Sequence, residues 1–156
     1  MDLARLFDVV GPIAMLGWVL LVVVPRWRWT QTITVVLLPA ILAVTYVVLF
    51  AMYLREVPEG FGAFGSLAGV KSAFSVDGVL LAGWIHYLIF DLFVGSWEVR
   101  DSQRIGLTHW LVLPCLVLTL MMGPVGLLCY LILRVTIKRQ FRIPAVTSPP
   151  SETAPA

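Results

Sequence analysis

Four apolar runs dominate the chain: Phe7–Val24, Thr32–Leu54, Gly78–Gly95 and His109–Leu133. Each is near the length of about twenty residues that an α-helix needs to cross a hydrocarbon layer about 30 Å thick. A backbone in that layer must satisfy its own hydrogen bonds, so the runs read as helices. With 60% hydrophobic and 13% charged residues and a mean hydropathy of +0.94, there is too little polar surface for a soluble globule, where about a quarter of residues are charged. The expected fold is all-α: a polytopic membrane protein, a four-transmembrane-helix bundle with an interfacial segment between helices 2 and 3. At 156 residues there is room for one domain over 1–143 and a disordered, Pro/Ser/Ala-rich tail over 144–156.

The connections carry the polar content. Pro25–Gln31 holds Trp27 and Trp29, aromatic anchors suited to a membrane interface. Arg55–Val76 mixes glycines at 60, 62, 65 and 69 with Phe61, Phe64 and Phe74, the composition of a half-buried interfacial segment. A charged loop, SWEVRDSQRIGLTH, joins the third and fourth runs. Net charge is +2, which gives no footprint for nucleic acid. The basic cluster Arg134, Lys138, Arg139 and Arg142 instead suits anionic lipid headgroups. Neither a cleavable signal nor a transit peptide is evident, so the expected home is the inner (cytoplasmic) membrane of a bacterium. Four crossings place seven Arg and Lys on the side of the termini against four on the other, so both termini are expected in the cytoplasm. Cys115 and Cys129 stand fourteen residues apart, about 21 Å along one continuous helix. That separation excludes a disulfide between them, and they read as helix-packing residues.

The segment Gly83–Phe93, GWIHYLIFDLF, places His86 and Asp91 at membrane depth. A central Asp costs about 2.5–3.5 kcal/mol on insertion scales, so such groups must find partners. Asp77, Trp84 and Asp91 are heptad-spaced and fall nearly in line, whereas His86 is about 140° away from Asp91 around the helix. His86 matches Gly123-Pro124 in depth, where a proline frees backbone carbonyls. It either donates to such a carbonyl and locks the helix pair, or faces a ligand as a proton-handling imidazole. Asp91 either pairs with Arg100, Arg104 or His109, or faces a cavity. Asp77 is the expected N-cap of its helix and shares one membrane face with Arg134. Haem between His86 and His109 is set aside because their depths differ by about 15 Å. No cofactor and no metal is expected.

The elements Gly83-Trp84-Ile85-His86-Tyr87, Phe90-Asp91-Leu92-Phe93, Arg100-Asp101, His109-Trp110, Pro114-Cys115 and Gly123-Pro124-Val125-Gly126 resemble the abscisic-acid-deficient-four-like family of membrane proteins, which includes plant neoxanthin synthase. The resemblance implies a carotenoid or other polyisoprenoid ligand, and an epoxide opened to an allenic alcohol. That reaction needs an acid for the epoxide oxygen and a base for a carbon-bound proton. His86 and Asp91 are the candidate catalytic residues. Trp84, Tyr87, Arg100, His109 and Pro124 are the candidate substrate contacts. The alternative is a non-catalytic membrane protein that binds lipid or pigment, or assists assembly of a membrane complex. A transporter ranks lower, because few polar groups lie at mid-depth. Oligomeric state is not fixed by the sequence.

Overall fold

The computed structural model describes residues 2–139, so the expected tail 144–156 and Arg142 of the basic cluster lie outside the described residues. Every regular element among them is helical. Helix α1 runs Leu3–Val23 and is capped by Asp2, whose carboxylate accepts from the Arg5 N–H at 3.2 Å. Helix α2 spans Thr30–Glu56 and carries a π-helical turn at Ile33–Leu37. Pro39, just beyond that turn, has no N–H to give to the preceding turn of helix. The Thr34 hydroxyl bonds back to the Thr30 carbonyl at 2.9 Å, and the ladder slips register there. Two 3₁₀ turns (Leu54–Glu56, at the end of α2, and Gly60–Gly65) and the short helix α3 (Leu67–Ala73) fill the connection to α4. Ser66 caps α3 by accepting from the Gly69 N–H at 3.0 Å. This connection buries Val57, Ala63 and Ala73 against Val79 and leaves Phe61 and Leu67 exposed.

Helix α4 is the 28-residue Asp77–Arg104, and it is the centre of the bundle. Half of its most apolar stretch is buried, against 28% for α1 and α2. It begins one residue after Val76, so Asp77 is its first helical residue rather than its N-cap. It also continues nine residues beyond the apolar run that ended at Gly95. The segment expected as a charged loop is helical to Arg104, because its polar residues Ser96, Glu98, Asp101 and Ser102 are buried. Contacts set the helix directions. The Phe7 and Trp84 rings lie 6.0 Å apart, and Trp18 lies against Gly95, so α1 runs parallel to α4. Gly95 is needed at that crossing: a Cβ there would stand 2.6 Å from the Trp18 ring. Tyr46 pairs with His86, and Gln31 donates to the Ser96 carbonyl at 3.3 Å, so α2 runs antiparallel to both.

The fourth run does not form one helix. It divides into α5 (His109–Met122) and α6 (Pro124–Lys138), hinged at Gly123 with φ +42°. The two arms fold back on each other so closely that a Cβ at Gly126 would strike the Thr119 backbone. Three helices among the described residues are therefore long and apolar enough to cross a membrane, α1, α2 and α4, and α5 is a shorter apolar helix. The hairpin corrects three expectations. Lys138 returns to the Arg104 end, where its Nζ is 3.8 Å from the place of a Gly106 Cβ; Asp2 and Lys138 thus lie at opposite ends of the bundle. Arg134 lies beside Asp101, not on the face of Asp77. Cys115 and Cys129, expected far apart on one helix, meet across the arms with their sulfurs 3.5 Å apart.

Gly123→Ala should lower the unfolding midpoint in mild detergent. A left-handed residue other than glycine costs about 1–3 kcal/mol, and the new Cβ would stand 2.8 Å from Asp91 Oδ1. Gly62→Ala, with nothing within 4 Å of its Cβ, should leave the midpoint unchanged.

Candidate functional site

The chemistry-bearing face of α4 is the one that meets the α5–α6 hairpin. Pro124 has no N–H, so the Leu120 carbonyl loses its helical donor at the hairpin turn. Tyr87 replaces it, donating its hydroxyl to Leu120 O at 3.1 Å. A freed carbonyl near the proline was the expected partner of His86; the side chain that takes it is the neighbouring Tyr87. The same hydroxyl lies in the field of the Asp91 carboxylate one turn on, and Asp91 sits directly beneath Gly123.

Asp91 is not ion-paired among the described residues. Arg104 goes to Asp101 at 2.6 Å, His109 donates through Nε2 to the Val22 carbonyl at 3.0 Å, and Arg100 is exposed. The reason is geometric: α4 stays helical to its end, so none of these groups folds back along it. One heptad past Asp91, Glu98 is fully buried and accepts from the Thr119 hydroxyl at 2.9 Å. Asp91 Oδ2 and Glu98 Oε2 are both buried without a hydrogen-bond partner. Toward the end of α4, Asp101 accepts from Arg104, from Tyr130 at 2.7 Å and from Arg134 at 2.8 Å. Asp101 and Arg134 are each about 4% exposed at the side chain.

An apolar cleft of about 710 Å³ opens on the bundle surface between α1, α4 and α5. Gly11, Pro12, Met15 and Leu16 form one wall, Trp84, Tyr87 and Leu88 the floor, and Leu120 and Met121 the other wall. Trp84 stands 5.3 Å from the Tyr87 ring and also lines a second recess of about 370 Å³ with Phe7 and Leu80. Tyr87 is therefore where the cleft touches the polar face of α4.

The other sequence-derived candidates are dispersed. His86 points away from the hairpin. It is exposed beside α2, with the Phe90 ring at 4.5 Å and the Tyr46 ring at 5.9 Å, in a recess of about 290 Å³ shared with Phe50, Phe64 and Phe74. The inward-facing His86 is thus corrected; the 140° offset from Asp91 turns it onto the opposite side of α4. His109 lies at the far end with Arg26, Gln103 and Trp110. Pro124 is exposed at the hairpin tip. Glu98, Thr119 and Tyr130 were not picked out by the sequence reading. The signal for Glu98 was present, since it continues the Asp77, Trp84, Asp91 heptad by one step. No assembly of three or more His, Cys, Asp or Glu side chains suited to a metal occurs among the described residues.

The family model described as ABA DEFICIENT 4-like matches residues 5–130. No curated protein matches the chain. No solved structure matches it either.

Asp101→Asn should destabilise the bundle strongly. Removing one partner of a buried charge pair costs about 3–5 kcal/mol, and here it takes the 2.8 Å ion pair away from the buried Arg134. Tyr130→Phe, which removes one neutral donor, should cost about 1–2 kcal/mol. Detergent unfolding midpoints of the two variants, compared with wild type, test this order.

Proposed function

This chain belongs to the ABA DEFICIENT 4-like family, and on that premise we propose that it binds a carotenoid or other polyisoprenoid within the bilayer and isomerises it. The observation that supports this reading is the cleft: apolar on three sides, of a size for part of a long isoprenoid chain, with the Tyr87 phenol on its floor and Asp91 one helical turn further along α4. Small numbers of polar groups in an apolar pocket orient a ligand that the walls hold by contact.

In the proposed chemistry, Tyr87 touches the ligand and Asp91 acts through Tyr87. Opening an epoxide to an allenic alcohol breaks one C–O bond and one C–H bond and forms one O–H bond and one C=C π bond, the C–H electron pair becoming the new double bond of the allene. The proton leaving carbon and the proton reaching oxygen balance, so no external reductant or oxidant enters. A phenol hydrogen-bonded near a carboxylate is able to give a proton and recover one. Trp84 offers a flat apolar surface to a conjugated ligand. His86, on the other side of α4, has no part in this site, nor do Arg100 and His109 at the far end.

The orientation we propose follows from the hairpin. Arg26, Arg28, Arg100, Arg104, Arg134, Lys138 and Arg139 gather at one end of the bundle, seven residues against the three of Arg5, Arg55 and Lys71 at the other. The hairpin-bearing end therefore faces the cytoplasm, and Asp2 faces the opposite side.

Pigment profiling in carotenoid-producing cells tests the reading. Wild-type protein should convert a supplied carotenoid. Tyr87→Phe and Asp91→Asn should lose about 10²-fold or more of that rate, the usual range for an acid–base group, while His86→Ala keeps it. A pigment that co-purifies unchanged favours the non-catalytic binder; no bound pigment and no conversion removes both. Orientation is read separately. In a Cys115→Ser/Cys129→Ser background, Arg28→Cys should label only from the cytoplasm and Gly62→Cys only from the opposite side.

A further inference from the structure

The cysteine pair has no role in the site above, and its surroundings are unequal. Cys115 on α5 is about 1% exposed. Cys129 on α6 is half-buried and stands among the exposed apolar side chains Val125, Leu128 and Ile132. Their sulfurs are 3.5 Å apart. A disulfide needs sulfurs at about 2.05 Å, so the two sulfurs stand about 1.5 Å from bonding distance. Water-borne oxidants meet an apolar surface at Cys129, so an oxidant that reaches it comes from the lipid phase.

We propose that Cys115 and Cys129 form a dithiol modification site that a lipid-soluble organic hydroperoxide converts to an intrachain disulfide. Cys129, the less buried thiol, reacts first. Its sulfur bonds to the distal peroxide oxygen, the O–O bond breaks, and the alkoxide leaves as an alcohol after taking the thiol proton. Cys129 is then a sulfenic acid. The Cys115 sulfur attacks the Cys129 sulfur, the S–O bond breaks, and hydroxide leaves with the Cys115 proton as water. Two thiols and one hydroperoxide thus give one disulfide, one alcohol and one water. Two electrons pass from the sulfurs to the peroxide. Hydroperoxides of this kind arise by autoxidation of unsaturated chains in the surrounding bilayer. The bridge ties α5 to α6 within the hairpin that carries Leu120 and Met121, so it fixes one wall of the cleft whatever the cleft holds.

The experiment uses the full-length protein in liposomes. Cumene hydroperoxide serves as the lipid-soluble probe and oxidised glutathione as the water-soluble one. After each treatment the protein is unfolded, free thiols are capped with a maleimide, and intact mass and linked peptides are measured. With cumene hydroperoxide, wild-type protein should take up no maleimide, lose two hydrogen atoms, and yield one peptide pair joined through Cys115 and Cys129 of the same chain. Oxidised glutathione should leave both thiols free to be capped. Cys115→Ser should stop at a Cys129 sulfenic acid that dimedone traps, and Cys129→Ser should leave Cys115 unoxidised. Full capping of both thiols after hydroperoxide, disulfides only between chains, or equal oxidation by glutathione disulfide overturns the proposal. Those three readings come from the wild-type protein, so they stand even where a serine variant does not insert.

Discussion

A proline that cannot donate leaves a carbonyl without its partner, and in a membrane interior there is no water to take its place. In this chain the carbonyl is Leu120 O and the replacement donor is the Tyr87 hydroxyl. The rest of the arrangement depends on that bond. It places the hairpin tip against the middle of α4, sets Gly123 over Asp91, and puts a phenol on the floor of the cleft. A single continuous fourth helix would have carried Arg134 and Tyr130 to the other end of the bundle, and Asp101 would then have lacked its buried partners.

The polar residues of α4 divide by how fully they are satisfied. Asp101 holds three donors and two cations, one of them buried. This is a structural lock, and in a low-dielectric setting removing one member of a buried ion pair is costly. Asp91 and Glu98 each keep an oxygen without a partner, and no cation among the described residues pairs with either. Buried polar groups that the fold does not satisfy are rare, and they concentrate where a protein handles ligands or protons. The two kinds of carboxylate lie on one helix within ten residues, the fully satisfied Asp101 toward its end and the partly satisfied Asp91 and Glu98 before it.

The class of fold was legible in the sequence because it rests on composition and run length, which no tertiary contact overrides. α1 and α2 were legible for the same reason. Two features were not. The end of α4 read as a loop because SWEVRDSQR is polar, yet its polarity is matched by Thr119, Tyr130 and Arg134, residues more than twenty positions away. The break in the fourth run was visible only as a Gly-Pro pair, and Gly-Pro is compatible with either a kink or a reversal; what decides is the positive φ of Gly123 and the close approach of Gly126 to Thr119. From that one ambiguity follow the misplaced cysteines, the misplaced Arg134 and the expectation of Asp2 and Lys138 at one end of the bundle. The alignment of Trp84 and Asp91 along one side of α4 was legible from heptad spacing. The expected facing of His86 failed because its depth matched Gly123-Pro124 while its rotation around the helix turned it toward Tyr46.

The cleft opens sideways, between helices whose rims, Met15, Leu16 and Met121, are exposed on the flank of the bundle. A ligand reaching it by that route never passes through water. Its occupancy is then governed by mole fraction in the lipid, and diluting the same ligand into more lipid empties the cleft even when the aqueous volume is unchanged. Affinity for such a site has meaning only per lipid, and exchange is a search in two dimensions, with competitors drawn from every apolar molecule the membrane dissolves.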